Sequence, residues 1–179
     1  MKATGIVRRI DDLGRVVIPK EIRRTMRIRE GDPLEIYTDN NGEVIFKKYS
    51  PIGELNEFAT GIAESVSGLT VSPIVILDRD HCIAAAGISK KEVLERRVTQ
   101  QAEELLDRRI KYVCNDSSES VQPLEGVDRL ASIFVPIISN GDITGAVVML
   151  KDTQNDKCSE SDEKICTLTA NFLAKQTEE

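Results

Sequence analysis

The sequence has no Trp, one His and only 4% aromatic residues. Its core must therefore be mainly aliphatic. Past residue 50 the only Tyr is Tyr112, so stacking on a purine or chromophore has little to work with. Four cysteines occur, Cys82, Cys114, Cys158 and Cys166, and no two form a Cys-x-x-Cys pair. Structural zinc sites use tight Cys/His pairs, so no metal is expected. Cys114 reads first as an ordinary thiol, with ligand attachment or redox chemistry as the alternative reading. No run of about 18 apolar residues and no apolar N-terminal segment is present. The expectation is a cytoplasmic protein with reduced thiols and no membrane contact.

Catalytic signatures are missing as well. The chain has no Gly-x-Ser-x-Gly elbow and no phosphate-binding Gly-Lys-Ser/Thr loop. His81 lies in an acidic turn, where it reads as a surface residue rather than a general base. No catalytic residue is assigned and the chain is expected not to be an enzyme.

What is present is an uneven charge. The net charge is -6, yet residues 1–29 hold nine basic and three acidic residues. Residues 51–179 hold 13 basic and 22 acidic residues. A basic head on an acidic body points to nucleic acid at the head.

Within that head, residues 5–10 and 13–18 read as short β-branched strands around Asp11-Asp12 and Gly14. Pro19 suits the first position of a short helix, on which Ile22 and Met26 form the apolar face. Leu34–Thr38 and Glu43–Lys47 alternate as strands around Asn40-Asn41-Gly42, a strong hairpin signal. Four short strands leave open edges, and 50 residues bury too little to be comfortably stable alone. Two copies closing each other's edges would resolve both problems.

Residues 4–49 resemble the AbrB-like swapped-hairpin family of bacterial transition-state regulators. The likeness rests on Thr4-Gly-Ile-Val-Arg-Arg9, Asp11-Asp-Leu-Gly-Arg-Val-Val-Ile-Pro19, Glu21-Ile-Arg-Arg-Thr25 and Leu34-Glu-Ile-Tyr37. It implies a barrel-like dimer of interleaved hairpins that binds double-stranded DNA through its basic face. The family's DNA-contacting arginines fall on Arg8, Arg15, Arg23 and Arg24, with Arg9 and Lys20 as flanking candidates. Guanidinium forks suit phosphates and guanine edges. The bland alternative pairs these arginines with Asp11, Asp12 and Glu21 on a solvated surface. Some swapped-hairpin domains are antitoxins, so a protein-binding module with an incidental basic face is the second alternative.

Ser50-Pro51 and Gly53 mark a boundary. Leu55, Phe58, Ala59, Ile62, Ala63, Val66 and Leu69 then recur at helical spacing. Residues 51–70 are expected to form a connecting helix packed on the second domain, with part of its face free for a second copy. Beyond it, Val71–Asp78 and Cys82–Gly87 read as strands around Arg79-Asp80-His81. Ser89 and Glu92 suggest a capping box before a helix reaching about Arg108. Residues 115–120 read as a loop. Arg129–Ile138 and Ile143–Leu150 read as long strands, and Ser159 with Asp162 caps a last helix striped by Ile165, Leu168, Thr169, Phe172 and Leu173.

The whole is read as α+β: a domain at 1–50, the helix at 51–70, and an antiparallel sheet with flanking helices at 71–179. The strand pairs and the Ser159-Glu-Ser-Asp-Glu163 helix start resemble a GAF domain. That likeness implies a dimerisation module, and a small-molecule site between the sheet and roughly residues 88–130. The family's cyclic-nucleotide signature is broken at Asn155-Asp-Lys-Cys158 and Asp162-Glu163, so no such cofactor is expected and any ligand is unidentified. An AbrB-like head on a GAF-like body is similar to a sporulation regulator. It implies a nucleoid-associated homotetramer that activates and represses late, forespore-specific genes.

Overall fold

Residues 4–115, 119–151 and 158–178 are described by the structure, a computed structural model. The chain divides into two compact units, Met1–Tyr49 and Ser50–Glu179.

Two Asp-x-x-Gly turns shape the first unit. The Asp11 carboxylate accepts the amides of Leu13 (3.0 Å) and Arg15 (2.8 Å). The Asp39 carboxylate likewise accepts those of Asn41 (3.1 Å) and Glu43 (2.8 Å). A short acceptor side chain replaces the missing backbone partners of a tight turn. Gly14 and Gly42 sit at positive φ, where a side chain would be strained. Helix α1 (Lys20–Thr25) follows, with Pro19 at the N-cap. Strands β1 (Leu34–Thr38) and β2 (Val44–Lys48) form an antiparallel hairpin in the register Leu34–Lys48 to Thr38–Val44. The loop spans five residues instead of an Asn-Gly pair, because Asp39 supplies the turn's acceptor.

The strands expected at 5–10 and 13–18 are not assigned as strands. A strand needs a ladder partner, and this unit's one described sheet contains only β1 and β2. The burial pattern gives the same message. None of residues 4–49 is buried. Val7, Ile10, Leu13, Val17, Met26 and Ile36 are all more than half exposed. This unit has apolar side chains but no interior of its own to hold them.

The second unit is built on a five-stranded sheet, ordered β4-β3-β7-β6-β5 and antiparallel throughout. Its strands are β3 (Ile74–Leu77), β4 (Cys82–Ala86), β5 (Tyr112–Val113), β6 (Ala131–Ser139) and β7 (Asp142–Leu150). Successive residues feed opposite cores: Ile74 and Ile76 face one, Val75 and Leu77 the other. Burial on both faces explains the unbroken apolar runs in an antiparallel sheet. Helices α2 (Pro51–Glu54), α3 (Asn56–Ser67) and α6 (Glu160–Gln176) cover one face. Helices α4 (Lys90–Val93) and α5 (Gln100–Asp107), with residues 121–127, cover the other.

Three expectations change here. The 51–70 helix breaks at Leu55 into α2 and α3; Ser50 caps the first piece by accepting the Gly53 amide at 3.1 Å. The helix expected from Ser89 to Arg108 is also two pieces, and Ser89 makes no side-chain cap. Between them Glu95 and Arg96 exchange backbone bonds with Cys82, both 2.9 Å, and Thr99 caps α5. Sheet pairing at the β4 edge overrides the local helical signal there. On α6 the capping box of Ser159 and Asp162 forms, but the buried stripe is Cys166, Thr169, Ala170, Leu173 and Ala174. Leu168 and Phe172 are 71% and 43% exposed. Asp116, Ser117 and Ser118 of the expected loop, and Asn155, Asp156 and Lys157, lie outside the described residues.

Burial also sorts the thiols. Cys82 and Cys166 have no exposed surface, and burial pushes both up to about 12. At pH 8 they remain protonated and shielded, and the thiolate is the reactive form. In native protein they should react with iodoacetamide at least tenfold more slowly than Cys114 and Cys158. Quantitative mass spectrometry of alkylated peptides checks this; equal rates at all four positions would contradict the packing.

Candidate nucleic-acid interface

The basic side chains of the first unit fall into two groups. Lys48 is structural: its ammonium donates to the Arg27 carbonyl at 3.1 Å and stands 3.6 Å from Asp32. The Asp32 carboxylate also accepts the Arg29 amide at 2.8 Å. These contacts close the end of α1 onto the hairpin. Arg27 itself takes a positive φ of 51° there.

The other group is the one expected from sequence. Arg8, Arg9, Arg15, Lys20, Arg23 and Arg24 are all exposed. Arg8 and Arg9 precede the Asp11 turn and Arg15 follows it. Lys20, Arg23 and Arg24 lie on α1, whose described residues include none that is buried. The Arg15 Nε donates to Asp11 at 2.7 Å, while its side chain stays 70% exposed. Among the described residues, no ion pair engages Arg8, Arg9, Lys20, Arg23 or Arg24. The surface-pairing alternative thus holds for Arg15 with Asp11 alone; Asp12 and Glu21 do not neutralise the rest.

Asp11 is the organising residue of this stretch. The Arg15 amide, the Arg15 guanidinium and the Leu13 amide hold its carboxyl below the usual range. A depressed carboxylate gives its full contribution above the ordinary value near 4 and loses it as pH falls through the folded value. At neutral pH the turn and the Arg15 pair are therefore both intact. The sequence placed Asp11 between two expected strands and as a possible counter-ion, but not as the acceptor that builds the turn. The repeat of Asp-x-x-Gly at 11–14 and 39–42 was the available signal that it builds a turn.

Chemically, this is a set of guanidinium forks with little local neutralisation, on a unit that encloses no core. Arg15 keeps donors beyond Nε for an incoming phosphate or base edge.

Residues 54–178 match the family model described as stage V sporulation protein T C-terminal, transcription factor. Stage V sporulation protein T of Bacillus subtilis (strain 168) is 49% identical over 181 aligned positions, covering 100% of each chain. The chain belongs to the stage V sporulation protein T family. It is a transcription factor of that sporulation family and not an enzyme. Residues 7–53 also match the family model described as antidote-toxin recognition MazE, bacterial antitoxin. The transition state regulatory protein AbrB of Bacillus subtilis (strain 168) is 63% identical over 51 residues, 28% of this chain and 52% of that protein. The second unit shares its fold with the GAF domain of a phosphoenolpyruvate-protein phosphotransferase from Coxiella burnetii. That match has a TM-score of 0.53 at 16% identity, over 68% of this chain and 81% of the other. The α+β class, with an AbrB-like and a GAF-like part, therefore stands.

Proposed function

We propose that this member of the stage V sporulation protein T family binds double-stranded DNA through Arg8, Arg15, Arg23 and Arg24, flanked by Arg9 and Lys20. The observation that carries this reading is the group of exposed cations, of which only Arg15 is in an ion pair among the described residues, on a unit without a core. The same unit supports the assembly: residues 1–50 of two chains interleave, so that Val7, Ile10, Val17 and Ile36 find an interior together. Each DNA-binding surface then belongs to two chains. The function that follows is activation and repression of forespore-specific sporulation genes by a cytoplasmic, nucleoid-associated protein.

The second unit adds a further pairing. Phe58 of α3 and Phe172 of α6 meet with ring centroids 5.7 Å apart. Phe172 and Leu168 remain exposed beside them, and Leu69 is 75% exposed. Burying this face in a second copy would join two N-terminal dimers into a homotetramer. Two linked DNA-binding heads bind adjacent sites by multivalency. Leu168→Asp should convert tetramer to dimer in light scattering, with α6 intact by circular dichroism. An unchanged tetramer would remove this face from the assembly. Any small-molecule ligand of the second unit is unidentified. Val93, Val98, Leu106, Leu124 and Phe134, each without exposed surface, belong to the core between the sheet and residues 88–130. Ile83, Ala85, Lys90, Leu94 and Glu95 line an open cavity at the start of this segment.

The antitoxin reading draws on the match at residues 7–53. The full-length relation to a sporulation regulator favours DNA regulation over it. An electrophoretic mobility shift of promoter fragments tests the choice. Retarded fragments that Arg15→Ala fails to retard support DNA regulation; no retardation at any protein concentration supports the alternative.

A further inference from the structure

Two of the four thiols converge on one backbone carbonyl. Cys114 follows the short edge strand β5, and Cys158 precedes the N-cap of α6, 44 positions later in the sequence. The Cys114 amide donates to the Ser132 carbonyl of β6 at 2.8 Å. The Cys158 thiol donates to that same carbonyl at 3.2 Å. The Cys158 sulfur therefore lies no more than 6.0 Å, the sum of these two distances, from the Cys114 nitrogen. Neither side chain is fully buried and neither is in a disulfide. A disulfide needs Cα atoms about 4.4–6.8 Å apart and side chains that turn toward each other; the shared carbonyl sets the two residues close, and the strand end at Cys114 must supply the remaining approach.

The thiols also feel each other electrically. Burial pushes the Cys158 thiol up, the Ser132 hydroxyl lowers it, and the Cys114 sulfur raises it again. Cys82 belongs to the core on the opposite face of the sheet, and Cys166 is enclosed under α6.

We propose that Cys114 and Cys158 are a redox pair that hydrogen peroxide converts to a reversible disulfide, stapling the end of β5 to the start of α6. In the first step the Cys114 thiolate attacks a peroxide oxygen, giving a sulfenic acid and hydroxide. In the second the Cys158 sulfur attacks the sulfenic sulfur. The S–S bond forms, the S–O bond breaks, and the departing hydroxide takes the Cys158 proton as water. Two thiols lose two electrons and two protons in all, and one peroxide becomes two waters. Reducing thiols reverse the bond by exchange. The staple grips the helix that presents Leu168 and Phe172, but the bond itself does not depend on what covers that face.

The test uses the reduced full-length chain with one to five equivalents of hydrogen peroxide, followed by denaturing alkylation and non-reducing peptide mapping. The expected result is loss of two alkylatable thiols per chain and a Cys114–Cys158 cross-linked peptide, both reversed by dithiothreitol. Cys114→Ser and Cys158→Ser should each abolish the cross-link, and Cys82→Ala should retain it. The Cys114 variant keeps the readout independent of any effect on the α6 cap. A cross-link to Cys82 or Cys166, a cross-link between chains, or sulfinic acid without any cross-link would overturn the proposal.

Discussion

Arg15→Ala should weaken DNA binding by roughly 30-fold or more at physiological salt while leaving the fold and oligomeric state unchanged. A guanidinium contact to a phosphate or base edge contributes about 1–3 kcal/mol, and the proposed two-chain surface would lose two of them. The folding cost should be small, for a reason visible in the turn. Asp11 loses its 2.7 Å partner but keeps the amides of Leu13 and Arg15, neither of which depends on the Arg15 side chain. The lost pair is well exposed, and such pairs stabilise little. Fluorescence anisotropy with a promoter fragment reads the affinity, and circular dichroism with sedimentation reads the fold. Wild-type affinity in a folded Arg15→Ala protein would remove Arg15 from the interface.

The second large effect lies far from DNA. Gly145 sits on β7 where it passes β3, and a Cβ built there would meet the Leu77 carbonyl oxygen at 2.0 Å. That neighbour is backbone in the middle of a sheet, so no side-chain rotation can clear it. Gly145→Ala must displace β3 or β7, two neighbouring interior strands of the sheet. Overpacking of this kind costs about 3 kcal/mol or more. For a unit of this size the melting temperature should fall by roughly 10 °C. Gly61→Ala is the control, since nothing lies within 4 Å of its added Cβ. It sits inside α3, where replacing Gly by Ala favours the helix by up to about 1 kcal/mol. Differential scanning calorimetry separates the two; equal melting temperatures would mean that β3 and β7 are further apart than described.

Local chemistry made much of this legible in the sequence. Ser159 and Asp162 announced a capping box and form one. Strands β6 and β7 followed from two apolar runs, Arg129–Ile138 and Ile143–Leu150. The arginines of residues 8–24 were expected on the surface and are exposed there. The misses share one cause, since each was decided by a partner distant in sequence. Residues 95–98 left helix because Cys82 and Asp80 offered backbone partners. The α6 stripe turned because small residues, Ala170 and Ala174, let the helix sit close to the sheet, leaving the larger Leu168 and Phe172 outside. Residues 5–10 and 13–18 have strand-forming composition, yet no described strand of this chain pairs with them. The meeting of Cys114 with Cys158 has no sequence signal at all: 44 residues separate them and only the fold brings them to Ser132.

The salt dependence of DNA binding by the full-length protein addresses the central claim most directly. Each phosphate contact contributes about -0.9 to the slope of log Kobs against log salt concentration. Arg24→Ala, present twice in a two-chain surface, should make the slope shallower by about two and weaken binding evenly across DNA sequences. A variant slope identical to that of the wild type, or a wild-type slope near zero, would contradict a basic face shared by two chains.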